Sequence, residues 1–370
     1  MKAWCSIQME TSSKSPREAV QALVREAFNE QAGWCTKLGS PFTALLCSTL
    51  AERLDDSTLI GSRILAWPGD PTGQGDALPL RVCGALHGLA RANQEPELAA
   101  LYREAPQRAS AEDLWRTIQG VLARNTPHFE AYLATAPQTN EVGRSAVLMC
   151  GFLEIAKRCD LPLQLFEIGC SAGLNLIADR YRYRFGATEW GDPSAALLLE
   201  PQWRGPAPPV DAHLRVAERS GCDVAPLDVT VEAERARLVS YVWADQIDRL
   251  QRLQSAMDTA LRDPPKLERM EAADWVEQRI PVLPTTRGQV RVLFHSVVWR
   301  YFPPETQRRI EAHMERCGAQ AHIDTPLAWL RFELVNSAPG ASLTLRFWPG
   351  GKETLLALAQ PHGRSIEANG

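Results

Sequence analysis

The chain has 370 residues, of which 45% are hydrophobic and 23% are charged. This is the composition of a globular protein with a sizeable core, and it excludes a disordered, collagen-like or coiled-coil chain. Forty Lys and Arg residues against 44 Asp and Glu residues give a net charge of −4. No basic excess is available to cover a phosphate backbone, so we expect no nucleic-acid partner.

The nine cysteines are odd in number, widely scattered and without a CxxC pair. This pattern supports neither a disulfide framework nor a zinc site, and it is typical of reduced thiols in a cytoplasmic protein. The seven histidines form no HxH or HxxxH pair, so we expect no metal. The first residues lack the apolar stretch of a signal peptide, and no run approaches about 18 consecutive apolar residues. We therefore expect no membrane partner.

The first 160 residues carry helix signals. Ser15-Pro16-Arg17-Glu18 is a capping box with proline at the first helical position. Ser40-Pro41 and Ser110 open further apolar patterns of helical period. Residues 1–160 are therefore predicted to form an α-helical domain that covers or supplies the substrate pocket.

From residue 161 the pattern changes to short apolar runs that are typical of buried strands. One long helix is predicted between them, over residues 231–261. Strands that alternate with helices predict an α/β domain over residues 161–370, with a parallel sheet and an insertion at about 181–228. The predicted strands cover residues 163–168, 291–298, 327–334, 342–348 and 354–360, and the last two are expected to pair as a hairpin.

A glycine-containing turn follows the strand 163–168, in the sequence EIGCSAGLNL. Such a turn lets the backbone approach a ligand, and a helix after it would offer free N–H groups. No lysine follows Gly173, which excludes a phosphate-binding loop, and Ser171 and Leu174 replace two glycines of the dinucleotide motif. A tight turn without any ligand remains an alternative.

What remains is Glu167, Gly169, Ser171 and Gly173 at every second position. This resembles the first motif of class I S-adenosylmethionine (SAM)-dependent methyltransferases, E/D-x-G-x-G-x-G, with Ser171 in place of the middle glycine. SAM has no pyrophosphate, so a serine can be tolerated there.

The wider chain, from about Phe28 to Gly363, resembles the bacterial domain-of-unknown-function family 2332, which is grouped with methyltransferase-like folds. The resemblance implies a Rossmann-like, class I methyltransferase-type sheet with an N-terminal helical domain and SAM as cofactor, but it brings no established reaction. Ala244 departs from the proline expected in its block. The blocks that carry the resemblance are 138–145 (QTNEVGRS), 190–192, 219–223, 226–228, 242–246 and 295–299 (HSVVW).

The resemblance implies roles for several polar residues near the cofactor. Glu167 would fix the glycine turn and the ammonium side of SAM. Asn140 and Arg144 open a helix, where Asn140 is either an N-cap or a ligand contact. Arg144 either pairs with Glu141 or holds the carboxylate of SAM, for which its forked donors are suited.

A further acid is expected to bind the ribose hydroxyls, and the sequence leaves Asp192, Asp223 and Asp228 as candidates. Glu271 resembles the acidic position near the adenine, although a solvated loop carboxylate is an equal contender. His295 comes at the end of the apolar stretch Val290–Phe294, where it either accepts a proton from the substrate or is merely hydrogen-bonded.

The sequence therefore favours a SAM-dependent methyltransferase that acts on a small molecule. A non-catalytic SAM- or nucleotide-binding protein with the same fold is the rival interpretation. The methyl acceptor and the oligomeric state stay open.

Overall fold

The computed structural model describes residues 15–104, 110–335 and 340–369 of the chain, so Cys5 lies outside the described residues. These residues form two compact units. Unit 1 comprises the described residues up to Pro137 together with Trp243–Gln246. Unit 2 comprises Gln138–Val242 and the described residues from Ile247 onward.

Unit 1 is helical throughout its described part. The capping box predicted at its first helix is confirmed, since Ser15 Oγ accepts the Glu18 N–H at 3.3 Å and the Glu18 carboxylate accepts the Ser15 N–H at 2.7 Å. The helices are α1 (Pro16–Lys37), α2 (Pro41–Arg53), α3 (Leu59–Leu65), α4 (Leu78–Arg91), α5 (Pro96–Glu104), α6 (Ala111–Arg124) and α7 (Thr126–Leu133).

The four residues Trp243–Gln246 belong to unit 1 because polar side chains fasten them there. Asp245 Oδ2 accepts the Phe42 N–H at the start of α2 at 2.9 Å, and Asp245 Oδ1 accepts the Ser40 hydroxyl. A carboxylate satisfies helix N–H groups that have no partner inside the helix. Gln246 Nε2 donates to the Leu38 carbonyl at 2.9 Å.

This attachment interrupts the helix that the sequence predicts over residues 231–261. The prediction is wrong in its middle, because residues 241–246 leave the helical path and the chain forms two helices instead. Unit 2 contains these two, α9 (Glu232–Ser240) and α10 (Ile247–Arg262), and three further helices, α8 (Arg144–Cys159), α11 (Ala272–Arg279) and α12 (Pro304–Ala319).

The described part of unit 2 also contains twelve strands. The predicted strands at 163–168 and 327–334 are confirmed at both ends, and the one predicted at 291–298 ends two residues early. The strands are β1 (Leu163–Ile168), β2 (Arg182–Phe185), β3 (Thr188–Trp190), β4 (Leu198–Leu199), β5 (Gln202–Arg204), β6 (Val216–Asp223), β7 (Lys266–Arg269), β8 (Val290–Ser296), β9 (Leu327–Leu334), β10 (Ala341–Trp348), β11 (Lys352–Ala359) and β12 (Ser365–Ala368).

Nine of these strands form one sheet in the order β5-β12-β11-β10-β9-β8-β1-β6-β7. From β7 to β9 all neighbours are parallel, whereas β9 to β12 run antiparallel to one another. The predicted hairpin is confirmed as the antiparallel pair β10–β11. A second, small sheet has the order β3-β2-β4. The predicted α/β class with a mostly parallel sheet is therefore confirmed.

Helices cover both faces of the large sheet. On one face, buried residues of α8 and α10 pack with Leu163 and Leu165 of β1. On the other face, buried residues of α11 and α12 pack with Phe166 and Ile168. Because both faces are covered at the centre of the sheet, β1, β8 and β9 consist mostly of apolar residues, whereas β6 and β7 towards one edge contain many polar residues. Among the described residues, no helix is long and apolar enough to cross a membrane.

The strand order places a crevice at a definite point of the sheet. From β1 the chain continues to β6 and β7 on one side, and it later returns to form β8 and β9 on the other side. Ligands of open α/β sheets bind at such a reversal, outside the carboxyl ends of the strands. The carboxyl ends of β1 and β8 are therefore the place to look for a functional site.

Candidate functional site

The glycine turn at the end of β1 has left-handed backbone at every second residue. The φ angles are +65° at Gly169, +52° at Ser171 and +68° at Gly173. Glycine adopts this conformation freely, whereas a non-glycine residue such as Ser171 adopts it at a cost. The spacing of small residues that the sequence shows is thus a backbone requirement of this turn.

Polar side chains from other segments hold the turn in place. Asp223 Oδ2 accepts the Ser171 N–H at 3.0 Å, and Asn140 Oδ1 accepts the Leu174 N–H at 2.9 Å. Asn140 is therefore not the N-cap of α8, a position that Gly143 occupies. The backbone N–H groups of Ser171 and Leu174, which the sequence leads us to expect to be free for a ligand, are therefore already bound to protein oxygens.

No α-helix follows the turn, which corrects the sequence prediction. Residues 174–177 form consecutive turns, and Ala178–Arg180 form a single 3₁₀ turn. Two buried tyrosines account for this, since Tyr181 Oη donates to the Leu174 carbonyl at 2.8 Å and Tyr183 Oη donates to the Ala178 carbonyl at 2.6 Å. Those carbonyl groups would otherwise accept helix hydrogen bonds. A helix N-terminus is therefore absent from this part of the described chain.

The two glycines of the turn face protein atoms. A Cβ atom on Gly169 would lie 2.4 Å from Val298 Cγ2, and one on Gly173 would lie 2.8 Å from Leu267 Cδ2. Their lack of a side chain thus lets the turn pack closely against β7 and the segment after β8. A side chain at Gly173 would meet Leu267 and Pro265.

Glu167 lies under the turn as a buried carboxyl with an unsatisfied oxygen. Its residue is 2% exposed, and Oε2 has no hydrogen-bond partner among the described residues. Burial raises the pKa of this carboxyl well above its usual value, although a hydrogen bond from Asn175 and the charge of Arg144 oppose the shift. Ser171 Oγ above it is also buried and has no partner in the described chain. Such atoms are costly unless a ligand or water satisfies them.

Arg144, at the start of α8, reaches to the end of β8. Its Nη1 donates to the Ser296 carbonyl and its Nε to the Pro361 carbonyl, both at 3.0 Å. The predicted alternative in which Arg144 pairs with Glu141 is not what the structure has, because Glu141 binds Arg249 instead, at 2.7 Å. Within the described residues the Arg144 guanidinium therefore forms no ion pair. Burial lowers the pKa of Arg144, while the charges of Glu141 and Glu333 oppose that shift.

Of the three acids proposed for the ribose, Asp223 is the one beside the turn. It ends β6, which pairs with β1, and it binds the Ser171 N–H. Asp228 lies five residues further on and closes its own loop by accepting the Thr230 N–H at 2.8 Å. Asp192 follows β3 of the small sheet and accepts the Ser194 N–H at 2.8 Å.

Glu271 follows β7, as the sequence predicts, and caps α11. Its Oε2 accepts the N–H groups of Ala273 and Asp274 at 2.8 and 3.1 Å, and its Oε1 accepts the Thr306 hydroxyl at 2.6 Å. Both oxygens are engaged, so helix capping accounts for this residue.

A cavity of about 240 Å³ opens beside the turn. Proline and aliphatic side chains form most of its wall, and Asp228 and Thr230 are exposed at it. The lining residues are Ala172, Pro226, Leu227, Asp228, Val229, Thr230, Pro264, Pro265 and Leu267.

His295 is completely buried near the end of β8. Its Nδ1 lies 2.6 Å from Glu333 Oε1, and its Nε2 has no partner in the described chain. Glu333 is a residue that the sequence analysis does not identify. The sequence gives little signal for it, because Glu333 and Arg331 are both charged residues of a mostly apolar strand, and only the pairing of β8 with β9 brings Glu333 near His295.

The site residues do not all share one face of the sheet. Successive side chains of a strand point to opposite faces. Glu167 shares a face with Leu165, which packs with α8, whereas His295 shares a face with Leu293, which packs with α11 and α12. They meet only at the carboxyl edge. There Val297 has a φ angle of +51°, which is rare for a β-branched residue, and such backbone strain often marks functional sites.

Among the described residues, no cluster of three or more His, Cys, Asp or Glu side chains could hold a metal ion. No curated protein matches the chain. Residues 25–368 match the family described as "uncharacterized protein conserved in bacteria (DUF2332)", and the chain therefore belongs to that family.

Proposed function

We propose that unit 2 binds SAM at the carboxyl ends of β1 and β8 and transfers its methyl group to a small molecule. The parallel strands β7-β6-β1-β8-β9 follow the order 3-2-1-4-5 of the doubly wound Rossmann fold, whose ligands bind at the reversal of strand order. The departure lies beyond β9, where consecutive antiparallel strands follow one another, and after the turn, where the usual helix is missing.

One observation carries the proposal, namely the charge pattern at the reversal of strand order. An unpaired guanidinium, that of Arg144, lies at the strand ends together with the buried carboxyl of Glu167, whose Oε2 has no partner in the described chain. The methionine end of SAM is a zwitterion with one carboxylate and one ammonium group. Arg144 suits the carboxylate, and an ammonium group would bind Glu167 in its ionised form.

The remaining parts of SAM have matching surfaces nearby. Asp223 is placed for the ribose hydroxyls, because it ends the strand next to β1. Its Oδ2 accepts the Ser171 N–H and its Oδ1 the Ala225 N–H, and Oδ2 has a second lone pair for a ligand. The cavity beside Ala172 has apolar walls and room for the adenine ring. SAM supplies a methyl group already activated on a sulfonium, so the protein needs mainly to align the acceptor with it.

Calorimetry with S-adenosylhomocysteine and its analogue that lacks the carboxylate tests this assignment. In the wild-type protein, we expect removal of the carboxylate to cost about 1.5–3 kcal/mol of binding free energy, the range for a charged hydrogen bond. In Arg144→Gln the two ligands should bind equally. NAD⁺ serves as the negative control.

Two outcomes would contradict the proposal. If the wild-type protein binds neither ligand, unit 2 is not a SAM site. If Arg144→Gln still discriminates between the two ligands, the carboxylate lies elsewhere. Binding without methyl transfer to any acceptor would instead favour the rival function, a non-catalytic SAM-binding protein. The absence of an α-helix directly after the turn favours this rival.

A further inference from the structure

Three aromatic rings pack against one another on the sheet face that α11 and α12 cover: His295 near the end of β8, Trp299 after it, and Trp329, the third residue of β9. The ring centroids of His295 and Trp299 are 5.0 Å apart and nearly parallel, and Trp329 lies 6.1 Å from His295 and 5.6 Å from Trp299. Trp299 also contacts Phe302 at 5.9 Å. The cluster reaches solvent at Trp299, which is half-buried.

Glu333 fixes the protonation pattern of the histidine in this cluster. Its Oε1 accepts the N–H groups of Val298 and Trp299 at 3.1 and 3.2 Å in addition to its contact with His295 Nδ1. Because a carboxylate only accepts hydrogen bonds, Nδ1 must donate. In the neutral ring, Nε2 is then an acceptor, and it has no partner in the described chain.

Trp329 presents the complementary group. Its indole Nε1–H can only donate, is buried, and has no acceptor among the described residues. The same cluster therefore contains one unsatisfied acceptor and one unsatisfied donor. Each costs free energy in a buried environment, and one small polar group that both donates and accepts would satisfy the two together.

Water meets that requirement, and few organic functional groups do. A carboxylate offers acceptors only, and an alkyl amine is protonated at neutral pH and offers donors only. A hydroxyl has one donor and two acceptor lone pairs. We propose that the methyl acceptor is a hydroxyl compound, whose O–H donates to His295 Nε2 and whose oxygen accepts from Trp329 Nε1–H. This inference rests on the proposed function, because it assigns the substrate of the same transfer.

The resulting step balances. The hydroxyl oxygen forms a bond to the methyl carbon while the bond from that carbon to the sulfonium sulfur breaks, and the sulfur keeps the electron pair. The hydroxyl proton passes to His295 Nε2, and the products are a methyl ether and S-adenosylhomocysteine. Glu333 acts as a positioning residue, since it holds Nδ1 and so leaves Nε2 free to receive the proton.

The test uses the whole chain without SAM and two pairs of small probes. Phenol and cyclohexanol carry a hydroxyl, whereas anisole and benzoate have similar bodies and lack a neutral O–H donor. Two-dimensional NMR follows the Trp329 indole N–H signal, assigned with Trp329→Phe. We expect phenol or cyclohexanol to shift this signal at concentrations where anisole and benzoate do not. In Trp329→Phe, binding of the active probe should weaken by about 3- to 10-fold, which corresponds to one hydrogen bond.

Equal effects of phenol and anisole, or no effect of either hydroxyl probe, would overturn the hydroxyl assignment even where SAM binds. If the hydroxyl probes act as expected but S-adenosylhomocysteine does not bind, the hydroxyl-binding site at His295 and Trp329 is supported and the proposed methyl transfer is contradicted. The two conclusions are thus tested separately.

Discussion

Arg144 Nη1 lies 3.0 Å from the carbonyl oxygen of Ser296, the last residue of β8. The first residue of α8 is thereby connected to the strand that follows the reversal of strand order. Because the acceptor is a carbonyl, this bond orients the guanidinium without forming an ion pair. Under the proposed function, this arrangement leaves the guanidinium able to bind an anionic ligand. The QTNEVGRS block, to which Arg144 belongs, lies within unit 2.

The neighbouring residue Glu141 forms a buried ion pair with Arg249, with 5% and 8% of their side chains exposed. We expect Glu141→Gln to lower the free energy of unfolding by about 3–5 kcal/mol, because the buried Arg249 guanidinium would lose the opposite charge of Glu141. Urea denaturation measures this change. Glu305→Gln, which breaks an exposed ion pair with Arg308, is the matched control and should change stability by less than about 1 kcal/mol. Equal effects would contradict the interpretation.

Gly173 is expected to be essential for folding of the turn. Gly173→Ala should destabilise the protein through both the positive φ angle and the contacts with Leu267 and Pro265. Gly288→Ala isolates the first effect, since Gly288 has a φ angle of +74° but open space around it. We expect about 1–2 kcal/mol for Gly288→Ala and a clearly larger loss for Gly173→Ala. Thermal unfolding of both variants measures the difference. Similar losses of stability would show that Leu267 and Pro265 can move aside at little cost.

Five of the twelve described strands, the hairpin and the capping box could be predicted from the sequence because local patterns determine them. A buried parallel strand is rich in apolar residues, and β1 and β9 are. The break between α9 and α10 could not be predicted, because its cause is a contact of Asp245 with α2, about 200 positions away. The missing helix after the turn depends likewise on where Tyr181 and Tyr183 are buried.

The candidate site likewise has features that the local sequence determines and features that depend on the fold. The positive φ angles of Gly169 and Gly173 agree with their residue type, which the sequence displays. The roles of Asn140, Glu271 and Glu333 depend on which hydrogen-bond donors the fold brings to them. Residue type alone allows a carboxylate to be a cap, a ligand contact or a positioning group.

Glu333 offers a direct test of side-chain positioning. We expect nitrogen-15 NMR of the wild-type protein to show the proton of neutral His295 on Nδ1, because Glu333 accepts from that atom. In Glu333→Leu the acceptor is lost, so the Nδ1–H form should no longer dominate. Glu333→Gln keeps an acceptor oxygen and should restore it. A wild-type His295 that carries its proton on Nε2 would contradict the assignment, whatever the stability of the variants.

The buried carboxyls of Glu167 and Glu141 should give opposite pH dependences of stability. Burial raises the pKa of Glu167 well above the ordinary glutamate value of 4.5. A raised carboxyl pKa means that the folded state holds a proton which the unfolded state loses, so this contribution to stability is full below pH 4.5 and declines as the pH rises. Glu167→Gln removes the effect and should therefore become more stable relative to the wild type as the pH rises from about 5 to 9.

Glu141 provides the control of opposite sign. Burial acts against its ionisation, but the charges of Arg249, His362 and Arg144 prevail and lower its pKa to about 2. Its contribution is present above the unfolded value of 4.5 and is lost as the pH falls towards 2. The deficit of Glu141→Gln should therefore shrink on acidification, whereas the advantage of Glu167→Gln should grow on alkalinisation. Thermal unfolding of both variants and the wild type across this pH range measures the two trends, and a Glu167→Gln difference that stays constant with pH would show that the carboxyl is ionised in the folded protein.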